Sequence, residues 1–89
     1  MSRYEPSPDA LVAHLEGEAV LLHMGTKHYF RLNGTGAHVW KGLESGASDA
    51  TIAASLVETF EVSLPDATTA MTALLAELLE SNLVRLREP

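Results

Sequence analysis

The 89-residue chain contains no cysteine, which excludes disulfide bonds, a thiol nucleophile and a thiolate metal site. Basic residues are few: six Lys and Arg stand against 12 Asp and Glu, and the net charge of -6 repels nucleic acid and anionic membranes. The apolar runs are far shorter than the roughly 20 residues of a membrane-spanning helix, and the polar N-terminal segment does not look like a secretory signal. We therefore expect one cytoplasmic domain that binds neither nucleic acid nor a membrane.

Signatures of catalysis are also missing. There is no Gly-x-Ser-x-Gly motif, and Gly34-x-Gly36 lacks the third glycine and the acidic partner of a dinucleotide-binding loop. A turn at Gly25-Thr26 would place His23 opposite His28, but a metal site would need a third ligand, and no ligand spacing is recognisable. Packing between neighbouring strands explains this pair better. We predict no catalytic residue, no metal site and no cofactor.

Three short runs in the first part of the chain have the length of β-strands: residues 10–15, 19–24 and 27–32. Gly25 and Thr26 fit a two-residue hairpin with a type II′ turn, because this turn favours glycine at its first position. In the last strand, alternation predicts one face toward the core and one toward solvent. The core-facing set is His28, Phe30 and Leu32, and the solvent-facing set is Lys27, Tyr29 and Arg31.

Three helices follow, each with a recognisable start. Asn33 or Thr35 can cap the first, and Ser48 or Asp49 can cap the second, which covers about residues 50–60. The third begins at Ser63-Leu64-Pro65-Asp66, a run that combines a capping serine, an early proline and an aspartate at the positive helix end.

The two ends of the chain complete the predicted architecture. Asn82 can close the third helix in a left-handed conformation, and a last short strand is expected over residues 83–86. Residues 1–9 are predicted to form a flexible arm, since two prolines block regular structure there. The elements predict an α+β fold: a winged helix-turn-helix-like domain over residues 10–87, with a three-stranded antiparallel sheet ahead of three helices.

The third helix has more apolar surface than one core face needs. At 100° per residue, the predicted core face is Ala67, Ala70, Met71, Leu74 and Leu78. One flank of this face carries Thr68, Thr72, Leu75 and Leu79, and the other flank carries Glu77, where we expect water. The leucine flank either widens the core stripe or lines a groove for an extended peptide that pairs with the free edge of strand 27–32. Lys27 and Arg31 either protect that edge or meet acidic groups of the peptide.

A resemblance to the PqqD-like family is carried by the run Tyr29-Phe30-Arg31-Leu32-Asn33-Gly34-Thr35-Gly36-Ala37, by Val20-Leu21-Leu22 before it and by Trp40 after it. The leucine-rich residues 74–84 fit the same pattern. The likeness covers about residues 19–84. It departs from the family at Asn82, where a glycine is common and a left-handed cap tolerates asparagine.

The resemblance implies a recognition element that binds the leader segment of a ribosomally made precursor peptide and performs no catalysis. In such domains the leader adds as a further strand beside the third strand and packs on the third helix. Carried onto this sequence, the peptide-binding residues are Lys27, His28, Tyr29, Phe30, Arg31 and Leu32 on the strand and Thr68, Met71, Thr72, Leu75 and Leu79 on the helix.

The resemblance also implies a partner, a separate leader protease or a modifying enzyme, to which the peptide is delivered. Free-standing relatives occur in lasso-peptide biosynthesis, the pathway we favour, and as peptide chaperones in pyrroloquinoline quinone biosynthesis. A winged-helix DNA-binding regulator is the alternative with the same architecture. Its recognition helix, residues 50–60, contains Glu58 and no Lys or Arg, so it is poorly suited to phosphate contacts.

Overall fold

The computed structural model describes residues 2–87. The elements are strands β1 (Tyr4–Pro6), β2 (Ala10–Leu15), β3 (Glu18–His23), β4 (Tyr29–Leu32) and β5 (Val84–Leu86), and helices α1 (Gly34–Glu44), α2 (Asp49–Phe60) and α3 (Leu64–Glu80). This order confirms the predicted α+β fold, in which a three-stranded antiparallel sheet precedes three helices. A second, two-stranded sheet of β1 and β5 is added to it.

The main sheet is antiparallel, with β3 between β2 and β4. One face of the sheet lies against the helices, and its alternate side chains, such as Leu21 and Leu32, are buried. Trp40 from α1, Leu56 from α2 and Leu78 from α3 belong to the same core. β4 is therefore an edge strand whose inner face is part of the core.

The hairpin between β3 and β4 keeps the predicted register but not the predicted turn. The His23 N–H donates to the His28 carbonyl at 3.0 Å, so these two residues do face each other. A type II′ turn at Gly25-Thr26 is wrong, because that turn needs a positive φ at Gly25 and the structure has none there. Lys27 instead takes the left-handed conformation, with a φ of 65°.

The side chain of His23 explains the different loop. Its Nδ1 accepts hydrogen bonds from the backbone N–H groups of Gly25 at 3.1 Å and Thr26 at 3.2 Å. The Lys27 N–H donates to the His23 carbonyl at 2.7 Å. Because His23 holds the loop through both its ring and its backbone, β4 begins only at Tyr29, and the strand predicted over residues 27–32 starts too early.

The helix ends follow the predicted capping chemistry. Asn33, Ser48 and Ser63 are N-caps whose side-chain oxygens accept from the N–H three residues further on, at 2.9, 3.1 and 3.2 Å. Asn82 follows α3 with a φ of 59°, as predicted for its left-handed end. None of the helices within residues 2–87 has the length and apolar character to cross a membrane.

A two-stranded sheet joins the first and last described segments. β1 pairs antiparallel with β5, and the buried Ser2 donates its N–H to the Ala47 carbonyl at 3.0 Å. The arm predicted over residues 1–9 is therefore wrong for Tyr4–Pro6, and Met1 lies outside the described residues. The two prolines did not prevent this strand, because proline is tolerated in an edge strand. Local sequence patterns do not reveal β1, because its partner strand β5 lies at the far end of the sequence.

Candidate functional site

An open cleft separates β4 from α3 and encloses about 600 Å³. Its strand side includes Phe30 and Leu32, and its helix side consists of Ala70, Leu74 and Glu77. The lining is completed by Glu18, Arg31, Asn33, Thr35 and Gly36. The two facing walls are thus mainly apolar, with one carboxylate on the helix side.

The outer edge of β4 carries backbone groups that no strand pairs with in residues 2–87. In an antiparallel pair, alternate residues exchange N–H···O bonds with the neighbouring strand, and the residues between them point away. His23 and His28 form one hydrogen-bonded pair between β3 and β4, and the alternation makes Leu21 and Phe30 the next such pair. The N–H and C=O groups of Tyr29 and Arg31 therefore point out of the sheet, along the free edge beside the cleft.

The side chains of β4 alternate as predicted. Leu32 is buried and Phe30 half-buried on the inner face, while Tyr29 is 74% exposed on the outer face. Arg31 is also exposed, and its Nε lies 3.3 Å from Glu18 Oε1. Because Glu18 already compensates the charge of Arg31, we favour the interpretation that Arg31 protects the strand edge over one in which it contacts acidic groups of a peptide.

Lys27 and His28 lie in the loop ahead of β4 rather than in the strand, and both are exposed. His28 lines a hollow of about 370 Å³ that also contains Tyr29, Phe30 and, from the end of α3, Glu80. Phe30 lines both this hollow and the cleft, so the hollow continues the cleft toward the end of α3.

The structure divides the predicted helix wall between the core and one flank of α3. Met71 and Leu75 are only 5% and 2% exposed and belong to the core, so they do not line an open groove. Thr68 and Thr72 are exposed, and Leu79 is half-buried against the core. By helical spacing, these last three residues lie on the flank of α3 away from the cleft.

The buried stripe of α3 is Ala67, Met71, Leu75 and Leu78. At 100° per residue, its centre lies about 40° from the centre of the predicted core face. α3 packs against α2 and β5 as well as α1, and periodicity alone does not say which flank these neighbours cover. Ala70, predicted as core, is exposed and lines the cleft, whereas Leu74 packs against the core as predicted and also lines the cleft. The sequence did contain a signal for this open side of α3: Glu77 lies on the same flank as Ala70 and Leu74, and a carboxylate marks a side of the helix that is not buried.

The histidines have structural contacts of their own. His23 holds the hairpin, His14 Nε2 lies 3.4 Å from Glu44 Oε1, and the His38 ring meets the Phe60 ring edge-on with centroids 5.6 Å apart. In the described part of the chain, no three His, Asp or Glu side chains come together as metal ligands would.

The face of the main sheet that points away from the helices is mainly apolar, with the Arg31–Glu18 ion pair at its β3–β4 side. The strand register places Leu11, Leu22 and Tyr29 in one row across the three strands and Ala13, Val20 and Arg31 in the next. Leu11 is 51% exposed. The solvent face of an antiparallel sheet normally carries polar side chains, so an apolar face of this kind indicates an interaction surface.

A model of the family described as coenzyme PQQ synthesis protein D (PqqD) matches residues 18–84. The chain belongs to the PqqD family. The matched residues include β3, β4, all three helices and therefore both walls of the cleft. Membership confirms the predicted resemblance.

Two solved structures are similar to this PqqD-family chain over nearly its whole length. One is described as TbiB1 in complex with the TbiA(beta) leader peptide; it is 27% identical, with a TM-score of 0.87, and the match covers 96% of this chain and 99% of that one. The other is lasso peptide synthetase B1 complexed with the leader peptide, at 30% identity and a TM-score of 0.85, covering 94% and 99%. A search of curated proteins found no match.

Proposed function

We propose that this PqqD-family domain binds the leader segment of a ribosomal precursor peptide in the cytoplasm and delivers it to a separate leader protease or modifying enzyme of lasso-peptide biosynthesis. The observation that carries the proposal is the free edge of β4 beside a mainly apolar cleft. The fold is shared with two proteins solved with leader peptides. Binding in this manner would raise the concentration of the precursor at its enzyme.

The binding mode is addition of the leader as a strand beside β4. The leader exchanges main-chain hydrogen bonds with Tyr29 and Arg31, and every second leader side chain enters the cleft. There it meets Phe30 on the strand side and Ala70 and Leu74 on the helix side. The opposite flank of α3, with Thr68, Thr72 and Leu79, is the rival site.

The lasso pathway is favoured by the two structural relatives, one of which is named a lasso peptide synthetase. The family model takes its name from coenzyme PQQ synthesis, so a PqqD-type peptide chaperone is the second candidate. Parallel titrations with the leader of a lasso precursor and the leader of a PQQ precursor distinguish the two. Tighter binding of the PQQ leader would replace the lasso assignment and keep the recognition role.

The mainly apolar outer face of the main sheet supports the second half of the proposal, delivery to a partner enzyme. Leu11, Leu22 and Tyr29 form a continuous row on this face. A leader strand beside β4 would extend the same sheet by one strand. An enzyme that docks on this face would therefore meet the domain and its bound leader together.

The experiment that tests the site compares two substitutions on the same helix. Ala70 and Thr72 are both exposed on α3, but only Ala70 lines the cleft. A fluorescent leader from the small precursor encoded beside this gene is titrated against Ala70→Asp and Thr72→Asp. We expect Ala70→Asp to weaken binding about tenfold or more, equivalent to about 1.4 kcal/mol, and Thr72→Asp to change it less than about twofold.

The outcomes separate the site from the function. A larger loss of affinity in Thr72→Asp than in Ala70→Asp would place the leader on the flank predicted from the sequence. Absence of saturable binding to the unmodified domain at tens of micromolar leader would contradict the recognition role itself. Thermal unfolding of both variants is the control, because a matched change to aspartate on one helix should cost similar stability.

A further inference from the structure

Glu77 is the one charged residue that α3 contributes to the lining of the cleft. Its side chain is exposed, and none of the four ion pairs found within residues 2–87 involves it. Arg31 lines the same cleft, but its Nε is paired with Glu18. The helix wall therefore presents an unmatched negative charge to any occupant of the cleft.

The position of Glu77 along α3 makes this charge unusual. α3 ends at Glu80, and its last turn contains no basic residue. The helix dipole makes a C-terminal end negative, which favours Lys and Arg there and disfavours carboxylates. Glu77 and Glu80 add negative charge to this end, and Glu80 lines the hollow that continues the cleft. A cation from a ligand would supply the compensation that the helix itself lacks.

The strand geometry indicates which leader residue lies near Glu77. A leader paired with Tyr29 and Arg31 directs the side chain beside Phe30 toward α3. Phe30 and Leu74 are the apolar neighbours of that position. A lysine or arginine suits it, because the aliphatic part of the side chain packs on apolar surface while the charged end reaches a carboxylate at the rim.

We infer that the cleft selects leaders with a lysine or arginine at the cleft-facing position beside Phe30, and that Glu77 is the specificity-determining residue. The inference rests on the proposed function and adds the chemistry of its ligand. The net charge of -6 acts in the same direction, because a negative field raises the local concentration of a basic peptide.

The test combines a charge reversal in the domain with one in the leader. The labelled leader of the neighbouring precursor is titrated against Glu77→Lys and against Glu58→Lys, which makes the same charge change at an exposed residue of α2. We expect Glu77→Lys to weaken binding about tenfold and Glu58→Lys to change it less than about threefold. A leader with its basic residue changed to glutamate should bind Glu77→Lys better than it binds the unmodified domain.

Two results would overturn the inference while leaving the proposed function in place. One is equal affinity of Glu77→Lys and Glu58→Lys for a leader that binds the unmodified domain saturably. The other is saturable binding of a leader whose bound segment contains no lysine or arginine. No saturable binding to the unmodified domain at tens of micromolar would contradict the proposed function, and the inference with it.

Discussion

At the residue scale, Leu74 and Leu75 are neighbours in sequence with different roles in the structure. Leu75 is 2% exposed in the core, whereas Leu74 lines the cleft and is half-buried. The 100° step between successive helical residues separates them. The two leucines therefore allow a comparison of stability and binding with the same substitution on the same helix.

We predict that Leu75→Ala lowers the free energy of unfolding by about 2–5 kcal/mol, because it leaves a cavity in the core. Leu74→Ala should cost less than about 1.5 kcal/mol but weaken leader binding several-fold. Urea denaturation and leader titration of both variants measure the two effects. Equal loss of stability in both variants, with no loss of binding in Leu74→Ala, would contradict the rotation of α3 that the structure describes.

The hairpin shows how one side chain alters a turn whose register is correct. Gly25-Thr26 has the composition of a two-residue turn, and the register it implies is the one that forms. The ring of His23, however, accepts from two N–H groups of the loop, and Lys27 takes the left-handed conformation. These bonds depend on a buried side chain, which turn composition does not describe.

At the element scale, the free edge of β4 makes a prediction about the leader. Tyr29 and Arg31 point their N–H and C=O groups out of the sheet, so leader residues opposite them must donate and accept main-chain hydrogen bonds. Leader residues between these positions point their N–H groups away from β4. Proline, which has no N–H, is therefore tolerated only at the second kind of position.

We expect a proline scan of the leader to weaken binding with a period of two residues. Relative to alanine at the same position, proline should be tolerated at the cleft-facing positions and should lower affinity about tenfold, equivalent to about 1.4 kcal/mol, at the positions between them. Competition against the labelled, unmodified leader measures the series. A period near 3.6 would instead indicate that the leader binds as a helix, and uniform tolerance would indicate that no strand pairing occurs.

At the scale of the whole molecule, β1 and β5 join the first and last parts of the described chain. Glu5 lies 2.9 Å from Arg85 and 3.4 Å from Arg87, and the Ser2 hydroxyl donates to Asp49 at the start of α2. These contacts connect the two-stranded sheet to the core. None of these residues lines the cleft between β4 and α3.

Removal of residues 1–8 should therefore lower stability without removing the binding site. Several hydrogen bonds of about 1 kcal/mol each are lost, so we expect the free energy of unfolding to fall by about 2–4 kcal/mol. Leader affinity, measured well below the unfolding midpoint, should change less than about twofold. An unchanged unfolding curve would support the flexible arm predicted from the sequence. A large loss of leader affinity would indicate that β1 contributes to the binding site.

Much of the fold was accessible from the sequence because its signals are local. Asn33, Ser48 and Ser63 cap their own helices through hydrogen bonds three residues away, and alternation along β4 assigns its two faces. The run from Tyr29 to Ala37 resembled the family to which the chain belongs. The edge strand and the third helix follow from such short-range patterns, and the proposed recognition role follows from the family resemblance.

The sequence by itself determined the strands of the main sheet, the three helices, their order, the family and the strand that borders the site. Only the tertiary structure decided which flank of α3 faces that strand and that Tyr4–Pro6 is part of a sheet. The physical reason is the same in both cases. Burial of Leu75 and pairing of β1 with β5 depend on contacts between segments far apart in the chain, whereas hydrophobic periodicity reports only that a residue is suited to burial.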